Sequence, residues 1–263
     1  WTSARFTLMT DGILVQVKEA IVADVARQLD EILAGNVVST KVLEEFLGRA
    51  NCIASLLHVW RPFLSMVWTA MNCKDDRPAV NCIWTRRIKI PLHWCKVFLR
   101  NEPGAMKRKY TVRSYRGLGL FITIVTDASP WAIGALLIIG DRIYEYFHEV
   151  VTEVDAKMMG ATIGTSEAQQ SFEAFAVLVA LRTWRKYWVS DRSALRVRSD
   201  SVSALTMLLK MSSRGMGSGL IARELALDTA RSSYVPIILQ HIPGVANCLA
   251  DLLSRWEQKK DKA

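Results

Sequence analysis

Strand-like and helix-like segments alternate along the second half of the chain, and their order restricts the fold more than any other feature of the sequence. The first of them, Leu120–Thr126, is short, apolar and rich in β-branched residues. Three strands, a helix, a strand, two helices, a strand and a helix predict an α/β domain, in which helices flank a mixed sheet. The predicted elements are strands Leu120–Thr126, Ile133–Ile139 and Arg142–Phe147, helix Ser166–Trp188, strand Leu195–Ser199, helices Val202–Met211 and Leu220–Ser232, strand Pro236–His241 and helix Cys248–Glu257.

The first hundred residues have a helical periodicity instead. Apolar residues recur near helical spacing in Val17–Ala34, and a second helix is predicted to begin near Ser39 and to run to Leu57. Two further apolar segments follow: Phe63–Met71 is predicted to be a turn or a helix, and Thr85–Leu99 a helical segment that Pro91 interrupts. The amino-terminal part is therefore expected to be a mainly helical region.

A basic segment separates the two patterns. Residues 100–116 contain Pro-Gly and six basic residues against one acid, which favours an exposed linker that could also contact phosphates. We therefore expect a helical region at 1–99, a linker at 100–116, an α/β domain at 117–258 and a charged tail at 259–263.

The composition indicates a folded chain with a polyanionic partner. Hydrophobic residues make up 51% of the 263 residues, which is inconsistent with wholesale disorder. The net charge of +9 suits nucleic acid, although a basic protein without such a partner has the same composition.

The cysteines and the apolar segments restrict the compartment. Five cysteines without a CxxC pair indicate reduced thiols and an intracellular protein, either cytoplasmic or nuclear. A zinc site built from Cys73, Cys82, His93 and Cys95 would have an unusual spacing. No apolar run reaches the roughly 20 residues of a membrane span, and no secretory signal is visible, so neither a membrane nor secretion is expected.

Four acids stand out by their positions in the predicted elements. Asp127 ends the first strand, Asp200 ends the fourth, Glu173 faces an apolar helical stripe, and Asp251 lies one turn into the last helix. Each also has a structural explanation: a turn for Asp127, a helix cap for Asp200, a buried arginine for Glu173 and an ion pair with Arg255 for Asp251. Taken singly, each acid fits its structural explanation better.

Taken together, the four acids predict a metal site. All four lie at carboxyl ends of strands, or on helices that could pack against the same sheet. Four carboxylates in one cleft would repel one another unless divalent cations bind there. Oxygen-only ligands select Mg²⁺ or Mn²⁺ rather than zinc, and paired ions about 3.5–4 Å apart serve phosphodiester hydrolysis.

The segments that carry these acids resemble the RNase H domain of reverse transcriptase polyproteins from LTR-type retroelements. They are IVTDASPWAIGALL (124–137), QQSFEAFAVLVALRTW (169–184), VRSDSVSAL (197–205) and HIPGVANCLADLLSR (241–255). The four motifs are specific together, whereas any one alone would be weak. A further stretch, EEFLGRANCIASLLHVWRPFLSMVWTAM (44–71), resembles the thumb and connection region of the same polyproteins.

The resemblance implies an RNase H-like five-stranded mixed sheet with helices on both sides. It also implies an endoribonuclease that cuts the RNA strand of RNA–DNA hybrids with two Mg²⁺ ions, for which Mn²⁺ substitutes. In this family the acids of the four motifs are the catalytic and metal-binding residues, which correspond to Asp127, Glu173, Asp200 and Asp251. The implied partners are the hybrid and the polymerase palm and fingers of the same polyprotein, whose Asp-Asp motif is absent from this sequence; the oligomeric state is left open.

Polar and basic residues near the motifs are candidates for contacts with the hybrid. The small polar ones could instead be caps or surface residues, and the basic ones could simply be solvated. These candidates are Ser129, Gln170, Ser201, Arg198, Lys210 and Arg214.

Three other residues of the motifs have competing interpretations. Trp131 could stack on the substrate, but a tryptophan after a strand is more often part of the core. Many cellular RNases H have a histidine in a loop before the last helix; His241 is expected on the strand instead, as a structural residue. Asn247 is expected to be the N-cap of the last helix.

Two other functions are compatible with the same fold. A degenerate retroelement fragment would keep the sheet and only bind nucleic acid or support the polymerase. A related nuclease or integrase-like transferase is the third hypothesis. Such transferases usually lack an acid at the position of Glu173, which favours the ribonuclease.

Overall fold

The chain forms two compact units, each with its own hydrophobic core. One consists of residues 1–110 and 226–233, and the other of residues 111–225 and 234–263. In the described part of the chain, no helix combines the length and the apolar character needed to cross a membrane. The computed structural model describes residues 4–73, 76–100, 106–112, 116, 118, 120–189, 193–212, 215–230 and 237–257.

The first unit is mainly helical, as the periodicity predicts. Its core contains aromatic rings from neighbouring helices, and the Phe98 ring lies 5.2 Å from that of Phe63 and 5.8 Å from that of Trp60 between centroids. The elements are β1 (Ala4–Met9), β2 (Gly12–Val17), α1 (Glu19–Ala34), β3 (Val37–Ser39), α2 (Thr40–Leu56), α3 (Arg61–Asn72), β4 (Cys82–Trp84), α4 (Lys89–Leu99) and β5 (Lys107–Thr111).

The first unit begins with a hairpin that the sequence did not predict. Strands β1 and β2 pair antiparallel across a two-residue turn, Thr10-Asp11. All residues of β1 after Ala4 are exposed, so no alternation of apolar and polar positions marks this strand. The helix predicted from Val17 starts at Glu19, because Val17 still belongs to β2.

Part of the predicted linker is also a strand. Lys107–Thr111, β5, lies at the edge of a three-stranded sheet of order β1-β2-β5. Lysines are common on edge strands, where they discourage pairing with another chain, but they hide the apolar pattern that identifies a strand. The prediction of an exposed linker is therefore corrected for these five residues. Residues 101–105 and 113–115 of the linker lie outside the described part.

The second unit contains the predicted mixed sheet. Its strands lie in the order β10-β9-β6-β7-β8; β10, β9 and β6 are parallel, whereas β7 and β8 are antiparallel to their neighbours. The elements are β6 (Leu120–Ala128), β7 (Ala132–Ile139), β8 (Arg142–Val150), α5 (Glu153–Met159), α6 (Gln169–Thr183), α7 (Arg185–Trp188), β9 (Ser193–Ser199), α8 (Val202–Lys210), α9 (Met216–Ala230, which continues into the first unit), β10 (Ile237–His241) and α10 (Cys248–Ser254).

All five predicted strands are present, with ends within about three residues of the predicted ones. The helix predicted at Ser166–Trp188 is divided into a 3₁₀ turn, α6 and α7, with the break at Trp184. The helix predicted at Leu220–Ser232 begins earlier, at Met216, and its predicted last two residues lie outside the described part.

Helices cover both faces of the sheet. Neighbouring residues of a strand point to opposite faces, and the central strand β6 shows this clearly. Ile124 belongs to the large core that includes Phe172 of α6, whereas Val125 packs with Leu253 of α10 on the other face. The expected five-stranded mixed sheet flanked by helices, after a mainly helical region, is therefore confirmed.

Gly134 allows α10 to pack closely on the sheet. A Cβ atom at this position of β7 would lie 2.6 Å from Leu253 Cβ and 2.8 Å from the carbonyl oxygen of Ala250. We expect Gly134→Ala to lower the free energy of unfolding by about 1–3 kcal/mol, because backbone and helix would have to shift. Urea denaturation followed by circular dichroism measures this effect.

The matched control for this substitution is Gly48→Ala. Gly48 lies in α2, where a Cβ would meet nothing within 4 Å, so alanine should stabilise the chain by about 0.5–1 kcal/mol. Equal urea midpoints for Gly134→Ala and the wild type would contradict the close contact between β7 and α10.

Candidate metal centre

Two of the four acids meet because their strands are parallel neighbours. Asp127 is the penultimate residue of β6, and Asp200 directly follows β9. Val125 of β6 is paired with Arg198 of β9, so the same register continued by two residues places Asp127 beside Asp200. The sheet therefore brings together two carboxylates that are 73 positions apart in the sequence.

Glu173 reaches the same point from α6. The Gln169 side chain, at the start of this helix, donates to the carbonyl oxygen of Ala128 at 2.6 Å and to Glu173 Oε1 at 3.0 Å. This amide ties α6 to the end of β6 and orients the glutamate. As a result, one carboxylate oxygen each from Asp127, Glu173 and Asp200 lies within 4.8 Å of the others.

Two of the three carboxylates are poorly solvated, and Asp200 is partly buried. Asp127 is 4% exposed and Glu173 is 6% exposed. Burial, followed by the charge of Asp127, raises the pKa of Glu173 to about 8 in the metal-free chain. Burial also raises the pKa of Asp127 to about 6; a hydrogen bond from Ser254 opposes this shift, and the charges of Asp200 and Asp251 add to it.

One carboxylate oxygen of this site has no hydrogen-bond partner in the described part of the chain. Glu173 Oε2 is buried without a hydrogen-bond partner among the described residues. A buried carboxylate oxygen without a partner is energetically unfavourable, and a bound cation would remove that cost. In the described part of the chain, Asp127, Glu173 and Asp200 form the one group of three or more acidic, histidine or cysteine side chains close enough to hold a metal ion.

Two residues near α10 donate hydrogen bonds to the acids, and the sequence did not predict this role for either. Ser254 Oγ lies 2.5 Å from Asp127 Oδ2. Asn247 Nδ2 lies 3.3 Å from Asp127 Oδ1 and 3.2 Å from Asp200 Oδ1. Asn247 does precede α10, as expected of an N-cap, but its side chain makes no capping hydrogen bond.

Asp251 lies outside the group of three. Its Oδ1 accepts a hydrogen bond from Arg255 Nε at 2.6 Å, four residues along α10. This is the structural explanation that the sequence offered for this acid. Asp251 still acts on the site through its charge, which raises the pKa of Asp127.

The candidates for substrate contacts lie in different surroundings. Gln170 and Ser201 line an open depression of ≈ 230 Å³ together with Gln169, Glu173 and Asp200. Ser201 also accepts a hydrogen bond from the backbone N–H of Ala204 and so caps α8.

Ser129 is placed inside the protein rather than at its surface. It is 0% exposed, and its hydroxyl bonds to the carbonyl oxygen of Ser254 at 2.6 Å. The same hydroxyl accepts from the backbone N–H groups of Trp131 and Ala132, which closes the turn between β6 and β7. A contact between this side chain and a substrate is therefore not supported.

The basic candidates are partly described. Arg198 Nε donates to Gln240 Oε1 at 2.9 Å, Lys210 is exposed at the end of α8, and Arg214 lies outside the described residues.

Trp131 is 44% exposed, so it is not the core residue that its position after a strand favours. His241 is the last residue of β10, as expected, and its Nε2 lies 3.2 Å from the carbonyl oxygen of Asp200.

Comparisons with known proteins gave likenesses among solved structures only. Neither the protein-family models nor the curated proteins match this chain. RNase H1 from the halophilic archaeon Halobacterium salinarum NRC-1 and LC11-RNase H1 in complex with an RNA/DNA hybrid are each 18% identical to it, with TM-scores of 0.40 and 0.41. Both likenesses cover 54% of this chain and 99% of the other.

A longer likeness involves a viral protein. The foamy viral protease-reverse transcriptase in complex with an RNA/DNA hybrid is 13% identical, with a TM-score of 0.32. This likeness covers 92% of this chain and 29% of the viral one, so the chain spans less than a third of that protein.

The raised pKa of Glu173 predicts a pH-dependent stability in the absence of metal. In the folded chain its pKa is about 8, against an ordinary value of 4.5, so the folded state binds more protons between these pH values. The free energy of unfolding therefore falls as the pH rises through this window. In EDTA at about pH 8, we expect Glu173→Gln to be more stable than the wild type by at least about 1 kcal/mol.

Urea denaturation at about pH 5 and about pH 8 measures this difference, with EDTA present throughout. Glu167→Gln is the matched control, because Glu167 is exposed in the 3₁₀ turn before α6. If the free energy of unfolding depends on pH in the same way in the wild type and in Glu173→Gln, then Glu173 is not buried as described.

Proposed function

We propose that the chain is a metal-dependent endoribonuclease that cuts the RNA strand of RNA–DNA hybrids. One observation carries this proposal: three acids from separate parts of the sequence converge within 4.8 Å at the carboxyl ends of two parallel strands. A structural role would not require three mutually repelling carboxylates in a poorly solvated place. A divalent cation for phosphodiester hydrolysis does require them.

The donor set fits Mg²⁺, with Mn²⁺ as a substitute. Asp127, Glu173 and Asp200 offer oxygen ligands only, and these hard cations prefer oxygen ligands. Glu173 Oε2, which has no hydrogen-bond partner among the described residues, provides a further ligand atom. When bound, the cations would activate a water and draw charge from the scissile phosphate.

The chain's own residues orient this chemistry. Gln169 fixes the direction of the Glu173 carboxylate, and Ser254 fixes that of Asp127. Because these acids are held by the sheet and by hydrogen bonds, their oxygens need little movement to bind a cation, which favours catalysis by a preorganised site. Gln170 and Ser201, which line the depression, would read the 2′-OH groups that distinguish RNA from DNA.

In the proposed two-metal mechanism, Asp127 and Asp251 would hold a second ion. It requires the Asp251 carboxylate to offer an oxygen while its Oδ1 remains bound to Arg255, or to leave that ion pair. The pair is half exposed, and exposed pairs of this kind are worth about 0–1 kcal/mol, so a divalent cation can compete with it.

The retroelement context belongs to the same proposal. The resemblance of residues 44–71 to a thumb and connection region, together with the mainly helical first unit, suits a segment that follows a polymerase palm. We propose that residues 117–258 form the RNase H domain and that the palm and fingers of the same polyprotein are its neighbours. The net charge of +9 suits the hybrid as a shared substrate.

The proposal predicts that Asp127→Asn abolishes hydrolysis of the hybrid. Removing an outer partner of a metal ligand typically lowers activity about 10–100-fold, so loss of a ligand should lower cleavage by at least about 100-fold. The assay follows a labelled RNA strand in an RNA–DNA hybrid with Mg²⁺, and with EDTA as the metal-free arm. Asp141→Asn, in the exposed turn after β7, is the matched control and should cleave like the wild type.

The alternatives give different results in the same assay. Equal cleavage of single-stranded RNA contradicts specificity for the hybrid. Hybrid binding without cleavage by the wild type identifies an inactive fragment that only binds nucleic acid.

A pair of variants tests the role of Asp251. If this acid holds a cation, Asp251→Asn should lower cleavage at least about tenfold, whereas Arg255→Gln should preserve it because the acid stays available. Equal losses in the two variants would show that the ion pair, not metal binding, is what matters at this position.

A further inference from the structure

We infer that Asn247 is a positioning residue of the candidate metal centre: its buried side-chain amide bridges Asp127 and Asp200 and holds both carboxylates ready for a cation. The inference rests on the metal site of the proposed function and adds to it a residue that is neither a metal ligand nor a substrate contact.

The geometry of the amide supports this role. Asn247 Nδ2 lies 3.1 Å from the carbonyl oxygen of Thr126, 3.3 Å from Asp127 Oδ1 and 3.2 Å from Asp200 Oδ1. One nitrogen with two hydrogens therefore faces three oxygens, two of which belong to acids that repel each other. The asparagine is 1% exposed, so water does not compete for these contacts.

The backbone of Asn247 is fixed on both sides. Its N–H donates to the carbonyl oxygen of Gly244 at 3.0 Å, and its carbonyl oxygen accepts from the N–H of Asp251 at 3.0 Å. The turn before it also packs against the site, since a Cβ at Gly244 would lie 3.3 Å from Asp200 Oδ2. The amide is thus held in place by the entry into α10 rather than by the carboxylates alone.

A purely structural role does not explain the side chain. An N-cap accepts a hydrogen bond from a backbone N–H of the first helical turn, but no such bond is present here. Instead, Asn247 Oδ1 is buried without a hydrogen-bond partner among the described residues, which costs free energy. The described contacts that offset this cost are those made by Nδ2, and two of the three go to acids of the metal centre.

The bridge would reduce the rearrangement that accompanies cation binding. Without a donor between them, the Asp127 and Asp200 carboxylates would turn apart to relieve their repulsion. A cation would then have to draw them together again, and its affinity would fall. Outer partners of metal ligands typically change metal affinity about 10–100-fold, which sets the size of the expected effect.

The test measures Mn²⁺ binding to the full chain by titration calorimetry, without substrate, at a temperature where circular dichroism shows each variant to be folded. We expect Asn247→Leu, which has a similar volume but no donor, to raise the dissociation constant at least about tenfold. Asn51→Leu, an exposed asparagine of α2, is the matched control and should bind like the wild type.

A second variant covers the case in which leucine prevents folding. Asn247→Ser is smaller and has a single hydroxyl hydrogen, which cannot bridge two carboxylates, so it should weaken Mn²⁺ binding at least about threefold. A merely structural asparagine would lower the stability in EDTA and leave the affinity of the folded protein unchanged. A dissociation constant within about twofold of the wild type in either folded variant overturns the inference.

Cleavage of the labelled hybrid on the same samples separates the two proposals. If the wild type cleaves and the Asn247 variants bind Mn²⁺ normally, the inference alone fails. If the wild type binds Mn²⁺ in a manner that depends on Asn247 but does not cleave, the proposed function alone fails. If the wild type does not bind Mn²⁺, the inference is overturned together with the metal site.

Discussion

Repulsion between carboxylates is the constraint on which the second unit depends. Asp127 and Glu173 are buried, and Asp200 lies beside them, so the sheet holds three acids where their charges are poorly screened. Hydrogen-bond donors around the carboxylates offset this repulsion. Gln169 comes from α6, while Ser254 and Asn247 come from the two ends of α10. The site is thus assembled from two helices on opposite faces of one sheet, and its geometry depends on both.

The pairing of the strands fixes the backbone position of Asp127. Asp127 lies on the central strand, between a parallel and an antiparallel neighbour, and its antiparallel partner is Gly134. That glycine lets α10 approach the sheet, which brings the donors of α10 within reach of Asp127. The packing of α10 and the position of the Asp127 carboxylate are therefore coupled through a single strand pair. In the metal-free chain, burial raises the pKa of the Asp127 and Glu173 carboxyl groups, so ionising them costs stability. An arrangement of this kind favours function over stability.

The sequence predicted the elements whose patterns are strong and missed those whose patterns are weak. The strands of the second unit are apolar and continuous, and the parallel pairing of β6 with β9 brings Asp127 and Asp200 together. Strand β5 was missed because lysine and arginine fill it. For Asp251 the sequence offered an ion pair with Arg255 or a metal ion, and the structure adds the geometry of the ion pair. The bridging role of Asn247 was not accessible, because an asparagine before a helix has an ordinary explanation as a cap.

The position of the supporting donors has a consequence for shortened copies of such a chain. A product that ends before Pro243 would keep Asp127, Glu173 and Asp200, so the group of three acids would still be encoded although Asp251 is lost. It would nevertheless lack Asn247 and Ser254, and with them the last helix that covers one face of the sheet. Judging whether a shortened copy can still bind a metal ion therefore requires the residues from Asn247 to Ser254 to be read as closely as the acidic motifs.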